Sequence, residues 1–459
     1  MKGVVLGHPS LILFKETIMT FNNYRVTPVK AATPFTVTVP GSKSITNRAL
    51  LLAALSDGEC LLKNALFSAD SRALITALQT LGINCSADET TKEIKLTGCN
   101  GSLPKKEATV NAVSAGTAAR FLTALFAFSD GTYVLDASEQ MKKRPMAPLI
   151  DALRALGISV TTLEQEGHLP LRIEGGKNTL LTAPELSVSI DQSSQFLSAL
   201  MMTGALLPDG LTVTPVGSRT AMSYVHITEH MMKEFGIAPI HSSTDASGTS
   251  YRIPGGCSYQ SQIYEIEPDL SGACYFYAAA VLLGTTVTVT GVHKNSMQGD
   301  LRFILALEQL GCTVTDTPKG IQVTGPKDGH YPGLDITMSD FSDQTMTMAV
   351  LALFADSPTH IRGVGHIRAQ ECDRLTATVT EINRLGGNAC IDEEGTGILI
   401  TPVPLHGACI ETYDDHRMAM SFALTGLRVA GVEISNPSCC KKTFENYFDL
   451  FTHCFSQLR

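Results

Sequence analysis

The stretch SAGTAARFLTALFAFSDGTYVL, Ser114 to Leu135, decides the fold, because its order of features recurs along the chain: a polar cluster, an apolar helical run, a turn and a strand. SITNRALLLAALSDGECLL begins at Ser44, SSQFLSALMMTGALLPDGLTV at Ser193 and LSGACYFYAAAVLLGTTVTV at Leu270. FSDQTMTMAVLALFADSPTHI follows from Phe341 and YDDHRMAMSFALTGLRVAGVEI from Tyr413. Their turn positions Gly58, Gly131, Gly210, Gly284, Ser357 and Gly431 fall 73 to 79 residues apart. Between them, further helical runs end in Leu81-Gly82, Leu156-Gly157, Phe235-Gly236, Leu310-Gly311 and Leu385-Gly386. Glycine directly after an apolar stripe is a helix C-cap signal. The pattern predicts six copies of one α/β unit, each large enough for a partial core. Three plus three copies in two domains, helices inside and sheets outside, are expected over a solenoid or an open α/β chain.

At 459 residues and 44% apolar content, the chain exceeds what one hydrophobic core usually serves. A net charge of -9 argues against nucleic acid or an anionic membrane surface as a partner, so an anionic ligand must be caught locally. Twelve cysteines lie scattered without a C-x-x-C pair, and the adjacent Cys439 and Cys440 fit neither a zinc nor a disulfide framework. A reducing cytoplasm and no metal site are therefore expected. The longest apolar helical stretch, Ala118 to Phe128, is too short to span a bilayer. Residues 1–18 carry few positive charges and no small-residue cleavage pattern, and read as an extension ahead of Met19 rather than a targeting segment.

Helix N-termini attract anions through their free N–H groups and positive dipole ends, so several converging unit starts would make a multidentate anion site. VTVPGSKSITNR, Val37 to Arg48, sets Lys43, Ser44 and Arg48 at a helix start, a placement poor for the helix but good for a doubly charged phosphate. Gly41-Ser42-Lys43-Ser44 lacks the G-K adjacency of a Walker A loop, so nucleotide binding is not supported. Gly116 permits close backbone approach by a ligand, with Arg120 in the same run. Lys142, Lys143 and Arg144 cluster in EQMKKRPMAPL, and Ser193, Ser194 and Gln195 supply neutral donors at the third unit start. Asp343 opens the fifth helical run, Glu371 stands three residues before Arg374 in ECDR, and Asp415, His416 and Arg417 open the sixth. Lys441 and Lys442 precede the C-terminal helix. Each group alone also reads as a cap or a solvated charge; recurrence at unit starts favours a site.

PGSKSITNRALLLAAL, SAGTAARFLTAL, KKRP, SSQFLSAL, NSMQGD, ECDRL, DDHRMAM and CKKTFENYF resemble, in this order, the 5-enolpyruvylshikimate-3-phosphate synthase family, from about Thr27 to the C-terminus. The resemblance implies a two-domain inside-out α/β barrel of six βαβαββ repeats, three per domain. Residues 1–40 and 265–459 would form a discontinuous first domain and 41–264 the second, with crossover strands near Val39 and Glu265 as the hinge and the active site in the cleft between them. It implies transfer of the enolpyruvyl group of phosphoenolpyruvate to the 5-hydroxyl of shikimate 3-phosphate, without a cofactor, by a monomer that glyphosate inhibits at the phosphoenolpyruvate site.

By motif matching, Lys43, Ser44, Arg48, Ser193, Ser194, Gln195, Asp343 and the Gln370 position look like the shikimate 3-phosphate site. Lys43, Gly116, Arg144, Gln195, Arg374, Arg417 and Lys442 look like the phosphoenolpyruvate site, with Arg120 in support. Asp343 suits the base at the hydroxyl, and Glu371 and Lys43 suit acid–base work at C3. Two places depart from the family pattern. Gln370 stands where lysine is usual, an amide that bonds but adds no charge. In GSRTAMSYVHIT, Gly217 to Thr228, Tyr224 aligns, while Ser218 or Ala221 takes the place of the family's serine. The UDP-N-acetylglucosamine enolpyruvyl transferases, which share the fold, carry a cysteine shortly before their Arg-Pro; here none occurs between Cys99 and Cys257. A non-catalytic anion-binding relative would have no reason to keep Lys43, Asp343 and Glu371.

Overall fold

The computed structural model of the chain describes residues 23–456 except 31–32, 178–183, 218–221, 245–247 and 328. The 1–18 extension, Ser218 and Ala221 lie outside the described residues. The six apolar runs form helices α1 (Lys43–Leu55), α2 (Gly116–Ala127), α3 (Gln195–Gly204), α4 (Leu270–Leu283), α5 (Thr345–Ala352) and α6 (His416–Ala423). Every residue of α2, α5 and α6 is buried, as all-round apolar helices require. Among the described residues the strands form six mixed sheets, five of four strands and one of three.

Parallel pairing demands a crossover, and the buried helices supply it. Glu107–Asn111 pairs parallel with Thr132–Asp136 across α2, and Glu185–Ser189 with Leu211–Val216 across α3. Asp335–Thr337 pairs with Thr359–Arg362 across α5, and Cys409–Ile410 with Glu433–Ile434 across α6. The strands ahead of α1 and α4 are exchanged. Phe35–Val37, before α1, pairs with Thr286–Val289, the strand after α4. Ile263–Glu265, before α4, pairs with Glu59–Lys63, the strand after α1.

The two chain passes therefore run side by side. Ser42 N donates to Glu267 O at 2.8 Å and Asp269 N to Pro40 O at 2.7 Å. A Cβ on Gly41 would overlap Asn64 O, so only glycine fits this crossing. Buried apolar side chains form two separate clusters, one from Ile45 to Ile266 and one from Val26–Val39 together with Leu270–Phe455.

Gly82, Gly157, Gly236, Gly311 and Gly386 all take left-handed φ of 79° to 90° just past their helices, the capping geometry their sequence context predicts. Asp343 differs from expectation: it sits in a 3-10 turn, Ser339–Gln344, because a non-helical Phe341 (φ -137°, ψ 39°) delays the start of α5. All twelve cysteines are free, and among the described residues no helix is long and apolar enough to cross a membrane.

Candidate active site

The starts of α1, α2, α3 and α6 and the turn before α5 converge on one cleft. Lys43, Ser44, Arg48, Arg144, Ser193, Ser194, Gln195, Asp343, Gln370, Glu371, Arg374 and Arg417 all line it. Gly116 and Lys442, the other two predicted residues, reach it through partners: Gly116 packs against the Arg120 and Arg144 guanidinium groups, and Lys442 Nζ lies 3.3 Å from Glu371 Oε1.

Asp343 is held from three sides. Its Oδ2 accepts from Tyr224 OH at 2.6 Å and Arg417 Nη2 at 2.8 Å, and its Oδ1 from Arg374 Nη1 at 3.0 Å. Burial alone would raise this carboxyl; Arg417 and Arg374 outweigh it, and with the Tyr224 hydrogen bond bring it down to about 2. Glu371 is the second focus. Arg374 Nη2 donates to it at 2.7 Å, and Arg144 Nη1 stands 3.9 Å away. Burial again opposes the charge, yet Lys442, Arg374 and Arg144 hold Glu371 well below the usual carboxylate range.

Arg374 is itself clamped by Asp415, whose Oδ2 accepts from Nε at 2.7 Å while Oδ1 caps α6 through Arg417 N at 2.8 Å. One buried carboxylate thus aims a guanidinium and starts a helix. Among the described residues, nearby His416 has no hydrogen-bond partner on either ring nitrogen, and burial, Lys43 and Arg417 push its pKa well below the ordinary value.

Cations outrun their acceptors at the α2 end. Arg120 Nη1 donates to Gly116 O at 3.1 Å, but Nε of Arg120 and Nε of Arg144 are buried with no acceptor among the described residues. Burial and the Arg144 charge together push the Arg120 pKa well below its ordinary value. Two desolvated guanidinium groups beside a helix N-terminus form an anion site. Lys43 Nζ, at the start of α1, is 3.8 Å from Asp70, leaving its other donors toward the cleft.

A family model described as EPSP synthase (3-phosphoshikimate 1-carboxyvinyltransferase) matches residues 30–451. The chain belongs to the EPSP synthase family. A 3-phosphoshikimate 1-carboxyvinyltransferase of Trichormus variabilis is 40% identical over 92% of this chain and 96% of the relative. The same-named protein of Yersinia pseudotuberculosis is 42% identical over 92% and 96%. A solved EPSP synthase of Acinetobacter baumannii shares the fold at a TM-score of 0.76, with 22% identity, covering 94% of this chain and 98% of that one.

For an EPSP synthase family member, the Gln370 departure has a local consequence. Its Oε1 accepts from Arg374 Nη1, which a lysine ammonium cannot do, so the amide extends the Asp415–Arg374 clamp instead of adding a cation. Arg48 is more deeply engaged than its motif suggests: it bonds Thr228 Oγ1 at 2.7 Å, Ser198 Oγ at 3.2 Å, Tyr224 O at 3.0 Å and Ser44 O at 3.0 Å. Ser193 Oγ accepts from Gln195 N at 3.2 Å, and Gln195 Nε2 donates to Thr117 at 3.4 Å. Sequence reasoning assigned no role to Asp70 or Thr117 and left Tyr224 and Asp415 without partners. Asp70 looks like any first-turn acid stabilising a helix dipole, so its approach to Lys43 leaves no local signal.

Proposed function

We propose that this EPSP synthase family member transfers the enolpyruvyl (carboxyvinyl) group of phosphoenolpyruvate to the 5-hydroxyl of shikimate 3-phosphate and releases phosphate, a step toward chorismate and the aromatic amino acids. The hydroxyl loses a proton as its oxygen attacks C2, and C3 gains one to give a tetrahedral ketal phosphate. Phosphate then leaves as C3 gives up a proton. The observation that carries the reading is the meeting of sequence-distant carboxylates and cations in one cleft: Tyr224 on Asp343 at 2.6 Å, Arg144 facing Glu371 at 3.9 Å.

Asp343 takes the hydroxyl proton. While Arg417 and Arg374 pair with it, it is held ionised against the effect of burial and is a weak base. The phosphates and carboxylates of the two substrates would draw those guanidinium groups away and restore basicity where it is needed. Glu371 and Lys43 serve C3 in the same way. Gly116, Gln195, Arg144, Arg374, Arg417 and Lys442 bind phosphoenolpyruvate, and Lys43 contacts both substrates. Ser44, Arg48, Ser193, Ser194, Gln195 and Gln370 bind shikimate 3-phosphate beside Asp343.

The proposed architecture is six βαβαββ units in two domains, residues 41–264 and residues 1–40 with 265–459, closing on substrate. The two apolar clusters and the exchanged strands support that division. The protein is proposed to act as a cytoplasmic monomer; the free cysteines support the reducing compartment.

The test is phosphate release from purified protein with phosphoenolpyruvate plus shikimate 3-phosphate, with UDP-N-acetylglucosamine as the control acceptor. Release with shikimate 3-phosphate alone, reduced at least about 100-fold in Asp343→Ala, is expected. Release only with the sugar nucleotide would overturn the assignment.

A further inference from the structure

Arg417 is shared between two acceptors, and the reaction as proposed uses only one of them. Its Nη2, which donates to Asp343 Oδ2 at 2.8 Å, also points a contact at Ser271 Oγ at 3.5 Å. Ser271 lies in the first turn of α4, and its hydroxyl donates its single proton to Asp300 Oδ2. Asp300 belongs to the NSMQGD motif and is 6% exposed. Among the described residues no cation stands within ion-pair distance of its carboxylate.

We propose that Ser271 and Asp300 are a positioning pair for Arg417: Asp300 fixes the direction of the Ser271 hydroxyl, whose lone pairs then draw the guanidinium partly off Asp343. The inference rests on the enolpyruvyl-transfer reading. A hydroxyl has one proton, so an acceptor on one side determines that a lone pair faces the other. Without Asp300, the Ser271 proton is free to turn toward Arg417 and repel it. Arg417 then engages Asp343 fully and weakens it as the base for the substrate hydroxyl.

The surrounding charges set the pH at which the pair acts, because the ionised carboxylate can only accept whereas the protonated acid can donate to Ser271. Burial, with Asp343 and Asp269 adding to it and Arg417 opposing, pushes the Asp300 carboxyl up to about 7. The other titratable groups facing it stay protonated in the working range: Tyr224 from the cleft and Cys274 from α4 are both pushed well above their ordinary values, by burial first. The sign for stability follows. A carboxyl whose folded pKa lies above its unfolded value contributes stability below the unfolded pKa and loses it as pH rises to about 7. Asp300→Leu, which removes the acceptor and the buried charge together, therefore unfolds at no lower temperature than wild type at pH 8, which separates a positioning role from a merely structural one.

Steady-state kinetics at pH 8 of wild type, Ser271→Ala, Asp300→Leu, which leaves no acceptor for the Ser271 proton, and the double variant, with shikimate 3-phosphate affinity by calorimetry and thermal unfolding at pH 8, test the pair. Expected are a kcat lowered about tenfold in each single variant, no further loss in the double, shikimate 3-phosphate affinity within about twofold, and an acid limb of the kcat profile displaced to lower pH. Unchanged kcat in both single variants, additive losses in the double, or losses that track lowered melting temperature and lost shikimate 3-phosphate affinity would overturn it. Wild-type turnover is the control: its absence removes the functional reading and the pair together, whereas active wild type with unaffected variants removes the pair alone.

Discussion

A side-chain methyl on Gly116 would lie 2.5 Å from Arg144 Nη1 and 2.6 Å from Arg120 Nη1, so Gly116→Ala must displace two guanidinium groups whose Nε atoms, among the described residues, lack acceptors. The expected outcome is a phosphoenolpyruvate KM raised about tenfold or more with kcat less affected, and weaker inhibition by glyphosate. Initial-rate kinetics at varied phosphoenolpyruvate, with and without the inhibitor, check both. Asp343 makes a second prediction at this scale. Its folded pKa of about 2 lies below the unfolded value, so its pairing contributes stability above about pH 4 that is lost as pH falls toward 2. Asp343→Asn flattens that part of the acid-unfolding curve, and an unchanged slope between pH 4 and 2 would contradict the pairing.

Helices α1 and α3 and the helix Ser223–Glu234 are joined by one buried charge. Arg48 bonds groups from all three, yet among the described residues it has no carboxylate partner, and burial lowers its pKa to about 10. A buried cation without a counterion is costly, and a hydrophobic residue of similar volume is often tolerated in its place. Arg48→Met is therefore expected to keep the unfolding free energy within about 1 kcal/mol while weakening shikimate 3-phosphate binding about 100-fold, because the ligand supplies the missing negative charge. Denaturant titration and calorimetry separate the two effects. A large loss of stability with affinity intact would make Arg48 a structural bridge.

The elements around the two apolar clusters, the proposed halves of the molecule, meet at more than the cleft. Ser223 Oγ donates to Asp340 O at 2.7 Å and Met222 N to Asp340 Oδ1 at 3.1 Å, so the start of the helix Ser223–Glu234 beside one cluster is held by the turn Ser339–Gln344 beside the other. Gly299 lies at the same contact, where an added Cβ would overlap the Cβ of Ser223. Gly299→Ala is expected to hold the halves apart: small-angle scattering would show less compaction on adding shikimate 3-phosphate. The kcat would fall about 100-fold, since misplacement by about 1 Å is enough for such a loss, with little change in melting temperature. Full compaction in the variant would rule out this contact as part of closure.

The apolar runs, the Leu-Gly helix ends and the charged unit starts are legible without coordinates, because each rests on local physics: burial periodicity, the left-handed φ at Gly82 and its four counterparts, and the dipole at a helix start. The order of motifs determined the family and, with it, the candidate site residues. The resemblance implied crossover strands near Val39 and Glu265; tertiary structure alone decided which edges Phe35–Val37 and Ile263–Glu265 join, since any short β-branched strand satisfies either edge and only the crossing at Gly41 and Pro268 distinguishes them. It alone decided that Asp415 serves Arg374, that Asp70 serves Lys43 and that Ser271 links Asp300 to Arg417. Hydrogen bonds and desolvation depend on distances between groups tens to hundreds of residues apart, and a sequence records no such distance.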